Sequence, residues 1–217
     1  MEGVGHIYNV IYDLGGVIAD LDVATSVRKF AKLGFKTAGI DLEKLSRDGI
    51  PQDWELVKFM HAMDAGEIDE AGLLAALHPL CSPETTDEQI LDAFNSIIVV
   101  KANRLEWIKK LKKTKRTYLL SNIGEVHWRE TLRQIRELGY DINDCFDETF
   151  LSYQLRMTKP DPRIFAHVIS QTGIKPEETA YLDDLPNNIE EGKKHGLCAV
   201  KIVTNHLEES VFYLNLR

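Results

Sequence analysis

Short apolar runs, each closed by polar or glycine residues, punctuate this chain at wide intervals. Residues 7–12 (IYNVIY) are rich in β-branched and aromatic side chains and stop at Asp13, where Gly15-Gly16 supplies a turn. Residues 117–120 (TYLL) repeat the pattern and stop at Ser121-Asn122 and Gly124; residues 179–182 (TAYL) stop at Asp183-Asp184. A fourth run, Leu197 to Val203, carries no polar chemistry at its end. Each reads as a buried strand. Between them the periodicity predicts helices over 125–138, closed by Gly139, over 161–172, opening near a proline and closed by Gly173, and over 187–195. Strands alternating with helices predict an α/β fold, a Rossmann-like parallel sheet with helices on both faces.

The stretch from 21 to 97 has a different texture. Helical patterns lie near 22–33, 53–64, 69–78 and 86–97, separated by Gly49-Ile50-Pro51, Gly66 and His78-Pro79, and no strand is expected. The pattern predicts an inserted all-helical cap at 21–97 and a discontinuous core of 1–20 plus 98–217. Trp54, Phe59, Met60, His61 and Met63 fall on helical spacings, as core packing requires, with one or two of them free to face a ligand.

Composition narrows the function classes. A net charge of −8 argues against a nucleic-acid or anionic-membrane surface. No apolar run approaches the roughly 20 residues that span a bilayer, and the first residues lack the features of a signal peptide, so a cytoplasmic location is expected. Cys81, Cys145 and Cys198 are widely spaced and fit buried free thiols in a reducing compartment. Lys109, Lys110, Lys112, Lys113, Lys115 and Arg116 crowd a predicted helix end, where the dipole favours cations; the alternative is a docking patch for an acidic partner.

The chemistry lies at the strand ends. Ligands of open parallel sheets bind at the carboxyl edge, so three strands bring Asp13, Ser121 and the pair Asp183-Asp184 to one place. Lys159, in Met-Thr-Lys-Pro-Asp-Pro, can reach that edge from a loop. Carboxylates without clustered histidine or cysteine point to Mg2+, a hard cation that takes oxygen ligands. The same set suits phosphoryl transfer. An aspartate can attack phosphorus, while the cation, Lys159, the Ser121 hydroxyl and backbone N–H groups offset the charge. Gly15 and Gly16 allow close backbone approach.

In this arrangement the chain resembles the haloacid dehalogenase superfamily along its whole length, through four motifs in order. Asp13-Leu14-Gly15-Gly16-Val17, running on to Asp20, is similar to the nucleophile motif, and Leu120-Ser121-Asn122 to the phosphate-binding motif. Lys159-Pro160-Asp161-Pro162 is similar to the lysine motif, and Asp183-Asp184, with Asn188 following, to the acidic metal motif. The resemblance implies a parallel α/β core with a mobile cap, and Asp13 as nucleophile and Mg2+ ligand. It implies Asp184 and the Gly15 carbonyl as further ligands, and Asp183 as a ligand or just behind them. Gly16, Ser121, Asn122 and Lys159 would hold the phosphoryl group of a small phosphorylated metabolite, such as a sugar phosphate. Nothing in it bears on oligomeric state.

One departure stands out. Phosphatases of this family mostly carry a second aspartate two residues after the nucleophile, which protonates the leaving oxygen and later activates water. Here that position is Gly15. Loss of a positioned acid–base forfeits roughly 10²–10⁴ in rate. A replacement group, a substrate with a good leaving group, and a non-catalytic regulatory role all remain open, and Asp20 or Asp22 is one possible replacement. A structural reading gives Asp20 to the cap hinge, Asp22 to a helix cap, and Ser121-Asn122 with Glu125 to a capping box. Dehalogenation shares the aspartate nucleophile but needs no Mg2+, and the acidic pair disfavours it.

Overall fold

The computed structural model describes residues 6–35 and 55–207. Among these, seven strands follow one another: β1 (Asn9–Tyr12), β2 (Ala19–Leu21), β3 (Ile98–Val100), β4 (Arg116–Ser121), β5 (Glu148–Leu151), β6 (Thr179–Asp183) and β7 (Cys198–Lys201). Five make a wholly parallel sheet in the order β5-β4-β1-β6-β7, and β2 and β3 form a separate antiparallel ribbon.

The helices are α1 (Val23–Lys32), α2 (Glu55–Asp64), α3 (Glu70–Leu77), α4 (Asp87–Asn95), α5 (Ala102–Leu111), α6 (Glu125–Glu137), α7 (Ile142–Cys145), α8 (Ser152–Leu155), α9 (Pro162–Thr172) and α10 (Pro186–Lys194). Central β1 is buried on both faces, so its alternation sorts two apolar layers. Val10 and Tyr12 join Leu105, Ile108, Trp128 and Ile135 of α5 and α6. Ile11 faces the other way, onto Ile164, Phe165 and Ile189 of α9 and α10. This is the predicted α/β architecture.

The edge strand β5 was not among the predicted strands. Its residues Glu148-Thr149-Phe150-Leu151 are buried only at the last two positions, so too little apolar signal remains to mark a strand. The ribbon of β2 and β3 also escapes periodicity, at three residues a strand, and it lies where the predicted core and cap meet.

Four described helices, α1 to α4, separate β2 from β3. They share a cluster of Phe30, Leu56, Met63, Leu73, Leu77, Ile90 and Phe94, which also takes in Val126 of α6. The helical block therefore packs directly on the sheet-bearing part. Asp22 caps α1, its carboxylate accepting the Thr25 N–H at 2.9 Å. Asp20 is held by Lys101 at 2.7 Å and by buried Arg104 at 2.8 Å. Trp54 and the Gly49-Ile50-Pro51 turn lie outside the described residues.

No residue of the basic run is buried; Lys110, Lys113 and Arg116 are exposed and the others partly so. Lys109 and Lys110 occupy the last turn of α5, as the dipole argument expects. Lys112 donates to the Asn143 and Phe146 carbonyls, Lys115 to the Ile7 carbonyl, and Arg116 to Asn9. These bonds tie α5 and β4 to neighbouring loops. All three cysteines are free thiols; Cys145 is buried and the other two only partly so.

Candidate functional site

The carboxyl edge of the sheet carries the site. Asp13 follows β1, Ser121 ends β4 and Asp183 ends β6, and adjacency of these three strands makes their ends neighbours in space. Carboxylate oxygens of Asp13, Asp183 and Asp184 lie within 4.8 Å of one another, and all three residues are buried. Three acids this close, out of water, need compensating charge.

Lys159 supplies part of it. Its ammonium sits 2.9 Å from Asp13 Oδ1 and 2.7 Å from Asp183 Oδ2, with the side chain 1% exposed. Burial disfavours its charged form, but the two carboxylates outweigh burial and the pKa is raised. Its loop is anchored by Asn122, whose side chain donates to the Lys159 carbonyl and accepts from the Lys159 N–H, both at 2.8 Å. The structural alternative for Ser121-Asn122, a capping box, is not what forms. The N-cap of α6 is Gly124, without a side-chain bond, and the Asn122 amide is committed to Lys159.

Asp183 is the most enclosed acid. It accepts from Lys159, from the Tyr181 hydroxyl at 2.5 Å, from the Leu185 N–H at 2.8 Å and from Asn188 at 3.0 Å. Burial alone would raise its pKa, yet these donors, Lys159 foremost, lower it. It is the charge that anchors the lysine. Asp13 is different. Burial lifts it to about 7, opposed by Lys159 and reinforced by Asp183 and Asp184. Its Oδ1 takes the Leu14 N–H at 2.7 Å as well as Lys159, while Oδ2 has no hydrogen-bond partner among the described residues. Burial raises Asp184 too, against a 2.7 Å bond from Thr204.

Gly16 is needed in the turn after Asp13. Its φ of +73° is unfavourable for other residues, and a Cβ there would lie 2.4 Å from Asp184 Oδ2. Gly15 is unlike it: the three atoms nearest a Cβ there all belong to the Leu21 side chain, none closer than 3.4 Å. The Gly15 carbonyl takes no hydrogen bond among the described residues.

A cavity of about 240 Å3 opens on this cluster, bounded by Asp13, Gly15, Ser121, Asn122, Lys159 and Asp184 on the sheet side. Met60, His61 and Asp64 of α2 close it from above, with Leu21, Ile97, Ile98 and Leu185 adding an apolar rim. Of the residues read as packing, Met60 and His61 line the cavity, while Met63 is core and Phe59 packs against it. Three contributors escaped sequence reasoning. Asp64 ends α2 just before the Gly66 turn, the one signal that could have marked it. Buried Ser152 donates to the Asp64 carbonyl at 2.5 Å and accepts the Ile123 N–H at 2.9 Å. Thr204 lies just past the strand that seemed to lack polar chemistry. The neighbouring Asn205 donates its N–H to the Gly16 carbonyl at 2.7 Å and accepts the Leu21 N–H at 3.0 Å.

His127 lines the cavity but is fixed in place. Its ring stacks on Phe94 with centroids 4.1 Å apart, and Nε2 lies 3.2 Å from the Phe94 carbonyl, so the neutral ring carries its proton there. Burial lowers its pKa to about 4. The unfolded chain therefore binds the proton first as pH falls, and stability should decline from about pH 6.5 to 4. In His127→Phe that loss is absent. The stability gap is expected to move in the variant's favour by up to about 3 kcal/mol between pH 7 and pH 4, read by urea unfolding. A gap independent of pH would contradict it.

Known proteins are similar to this chain in sequence and in fold. A family model described as haloacid dehalogenase-like hydrolase matches residues 9–196. D-ribitol-5-phosphate phosphatase of Bacteroides thetaiotaomicron is 34% identical over 193 residues, covering 88% of this chain and 89% of that one. A haloacid dehalogenase family enzyme of the same organism, solved in complex with magnesium and inorganic phosphate, superposes with a TM-score of 0.77 at 28% identity, covering 92% of this chain and 96% of that one. A hydrolase of this type from Porphyromonas gingivalis gives a TM-score of 0.77 at 25% identity, covering 98% and 99%. Sequence, fold and the strand-end acids agree, and the chain belongs to the haloacid dehalogenase-like hydrolases.

Proposed function

We propose that this protein is a Mg2+-dependent phosphatase acting on a small phosphorylated metabolite of the sugar or polyol phosphate type, with Asp13 as nucleophile. The observation that carries the reading is the buried cluster of Asp13, Asp183 and Asp184 around a single lysine. Three carboxylates and one ammonium leave a net negative site that neither an oxyanion nor a phosphate ester can enter without a further cation. The donors are all oxygen, which suits Mg2+ over softer metals. Asp13, Asp184 and the Gly15 carbonyl would hold it, with Asp183 behind them. When bound, Mg2+ supplies the positive charge that lets an anionic nucleophile meet an anionic ester.

The chain's own groups do the rest. Lys159 and the Ser121 hydroxyl hold the phosphoryl oxygens, while Asn122 sets the lysine loop. Asp183 keeps Lys159 charged and aimed at Asp13. The Asp13 carboxylate attacks phosphorus, and water then releases the phosphate. Relatives support the substrate class, since one of them is a ribitol 5-phosphate phosphatase. The cavity of about 240 Å3 suits a small metabolite. The proposed organisation is a core of 1–20 and 98–217 with a cap of 21–97 bearing Met60, His61 and Asp64. A cytoplasmic location accords with three free thiols; no helix among the described residues is long and apolar enough to cross a membrane.

The test is phosphate release from an activated aryl phosphate and from a panel of sugar and polyol phosphates, with and without Mg2+. Turnover that requires Mg2+ supports the reading. Normal Mg2+ binding with no turnover on any ester would leave a regulatory binding protein, and metal-independent release of halide from a 2-haloacid would make it a dehalogenase. Gly16→Ala should also lose activity, since its methyl would displace the Asp184 carboxylate. The backbone strain should cost about 1–3 kcal/mol. A thermal melt and a Mg2+ titration would check both; wild-type values in both would refute the claim.

A further inference from the structure

Gly15 leaves the reaction without the usual proton donor, so each other acid or base near the cavity matters. Asp20 is paired with Lys101 and Arg104, and Asp22 caps α1. His127 is pinned to the Phe94 carbonyl. His61 lines the cavity but is exposed. Asp64 remains. It lines the same cavity as Asp13, Ser121 and Lys159, is partly buried, and forms no ion pair among the described residues.

Its position is built rather than incidental. The end of α2 is pinned to the floor of the site through Ser152, which bonds the Asp64 carbonyl and the Ile123 N–H. The contact is close: a Cβ at Gly124 would lie 2.7 Å from Met63 Cβ. Gly124 therefore lets α2 seat directly above the Ser121–Gly124 loop. We propose that Asp64 is the proton donor and acceptor of the reaction, supplied by the helical insertion in place of the side chain missing at Gly15. This rests on the phosphatase reading. Burial, opposed by the Gly124 N–H and reinforced by Asp13, raises Asp64 to about 7, where a carboxyl can both give and take a proton near neutrality.

The two half-reactions balance. As the Asp13 carboxylate bonds to phosphorus, the bond from phosphorus to the leaving oxygen breaks, and its electron pair goes to that oxygen. The leaving oxygen takes the Asp64 proton and departs as an alcohol. Asp64, now a carboxylate, accepts a proton from water as the water oxygen bonds to phosphorus. The Asp13–phosphorus bond breaks with its electron pair returning to Asp13, and inorganic phosphate leaves with Asp64 protonated again.

The competing role for Asp64 is structural, as the acceptor of the Gly124 N–H at the start of α6. Leaving-group dependence separates the two. Asp64→Asn in the full chain with Mg2+ should turn over an alkyl phosphate about 10²–10³-fold more slowly. With 4-nitrophenyl phosphate, whose leaving group needs no proton, it should still give a rapid burst of one nitrophenolate per enzyme, followed by slow turnover. Gly15→Asp placed in that variant should restore at least tenfold of the lost alkyl phosphate turnover. An equal loss on both substrates without a burst, or unchanged alkyl phosphate turnover, would overturn the proposal. Asp64→Ala, which keeps the main-chain bond to Ser152, gives the same readings if the amide variant does not fold. A wild-type protein inert on every ester would instead refute the phosphatase reading itself.

Discussion

Replacing Asp13 by asparagine is expected to abolish Mg2+-dependent phosphate release, by on the order of 10⁴-fold or more. The amide has nearly the same shape and can still accept the Leu14 N–H, but it is too weak a nucleophile to attack phosphorus. The same change should leave the fold intact. Asp13 is a buried carboxylate whose pKa is raised to about 7, so its charge is a cost to the folded state at neutral pH. Removing it leaves Lys159 balanced by Asp183 at 2.7 Å. The variant should therefore melt no lower than wild type in metal-free buffer. Residual turnover within tenfold of wild type would show that Asp13 is not the nucleophile. A collapse of the melting transition would show that its charge is structural.

Lys159→Met should do what Asp13→Asn does not, and damage activity and stability together. The ammonium is the one cation within ion-pairing distance of Asp13 and Asp183 among the described residues. Its loss leaves buried acids with no counter-charge, a defect of about 3–5 kcal/mol. Turnover should fall roughly 10²–10³-fold, the scale for losing a donor aimed at developing charge. The physical origin can be isolated by a cycle. If the defect is uncompensated charge, Asp13→Asn combined with Lys159→Met should be more stable than Lys159→Met alone, since one of the stranded charges is gone. Equal stability of the double and single variants in denaturant unfolding would refute that account.

Much of the site was legible along the chain because parallel sheets translate sequence position into spatial position. A polar residue directly after a buried strand lands on the carboxyl edge, and adjacency of β4, β1 and β6 gathers Ser121, Asp13 and Asp183. Local turn chemistry was read correctly at Gly16 and Asp22, whose constraints lie within a few residues. At Asn122 the structural alternative, a capping box, is not the one the fold uses. A capping pattern is a local offer, and a pair of hydrogen bonds to Lys159, 37 residues away, displaced it. Strands β2, β3 and β5 were missed because three or four residues, partly exposed, carry no usable period.

The sequence by itself determined the α/β class and the identity of the acids at the strand ends, while Lys159, in a loop, was marked mainly by the family resemblance. The class and the acids depend on composition and spacing within single elements. Only the tertiary structure decided which distant groups complete the site. Ser152 reaches Asp64 across 88 residues, and Thr204 reaches Asp184 across 20. Periodicity shows which face of α2 is apolar, but not that its last residue lines the cavity that also holds Asp13. That depends on Gly124 admitting the helix, which is a matter of packing between elements. The gap at Gly15 was visible in the sequence; the group placed to fill it emerged only once the helices were packed on the sheet.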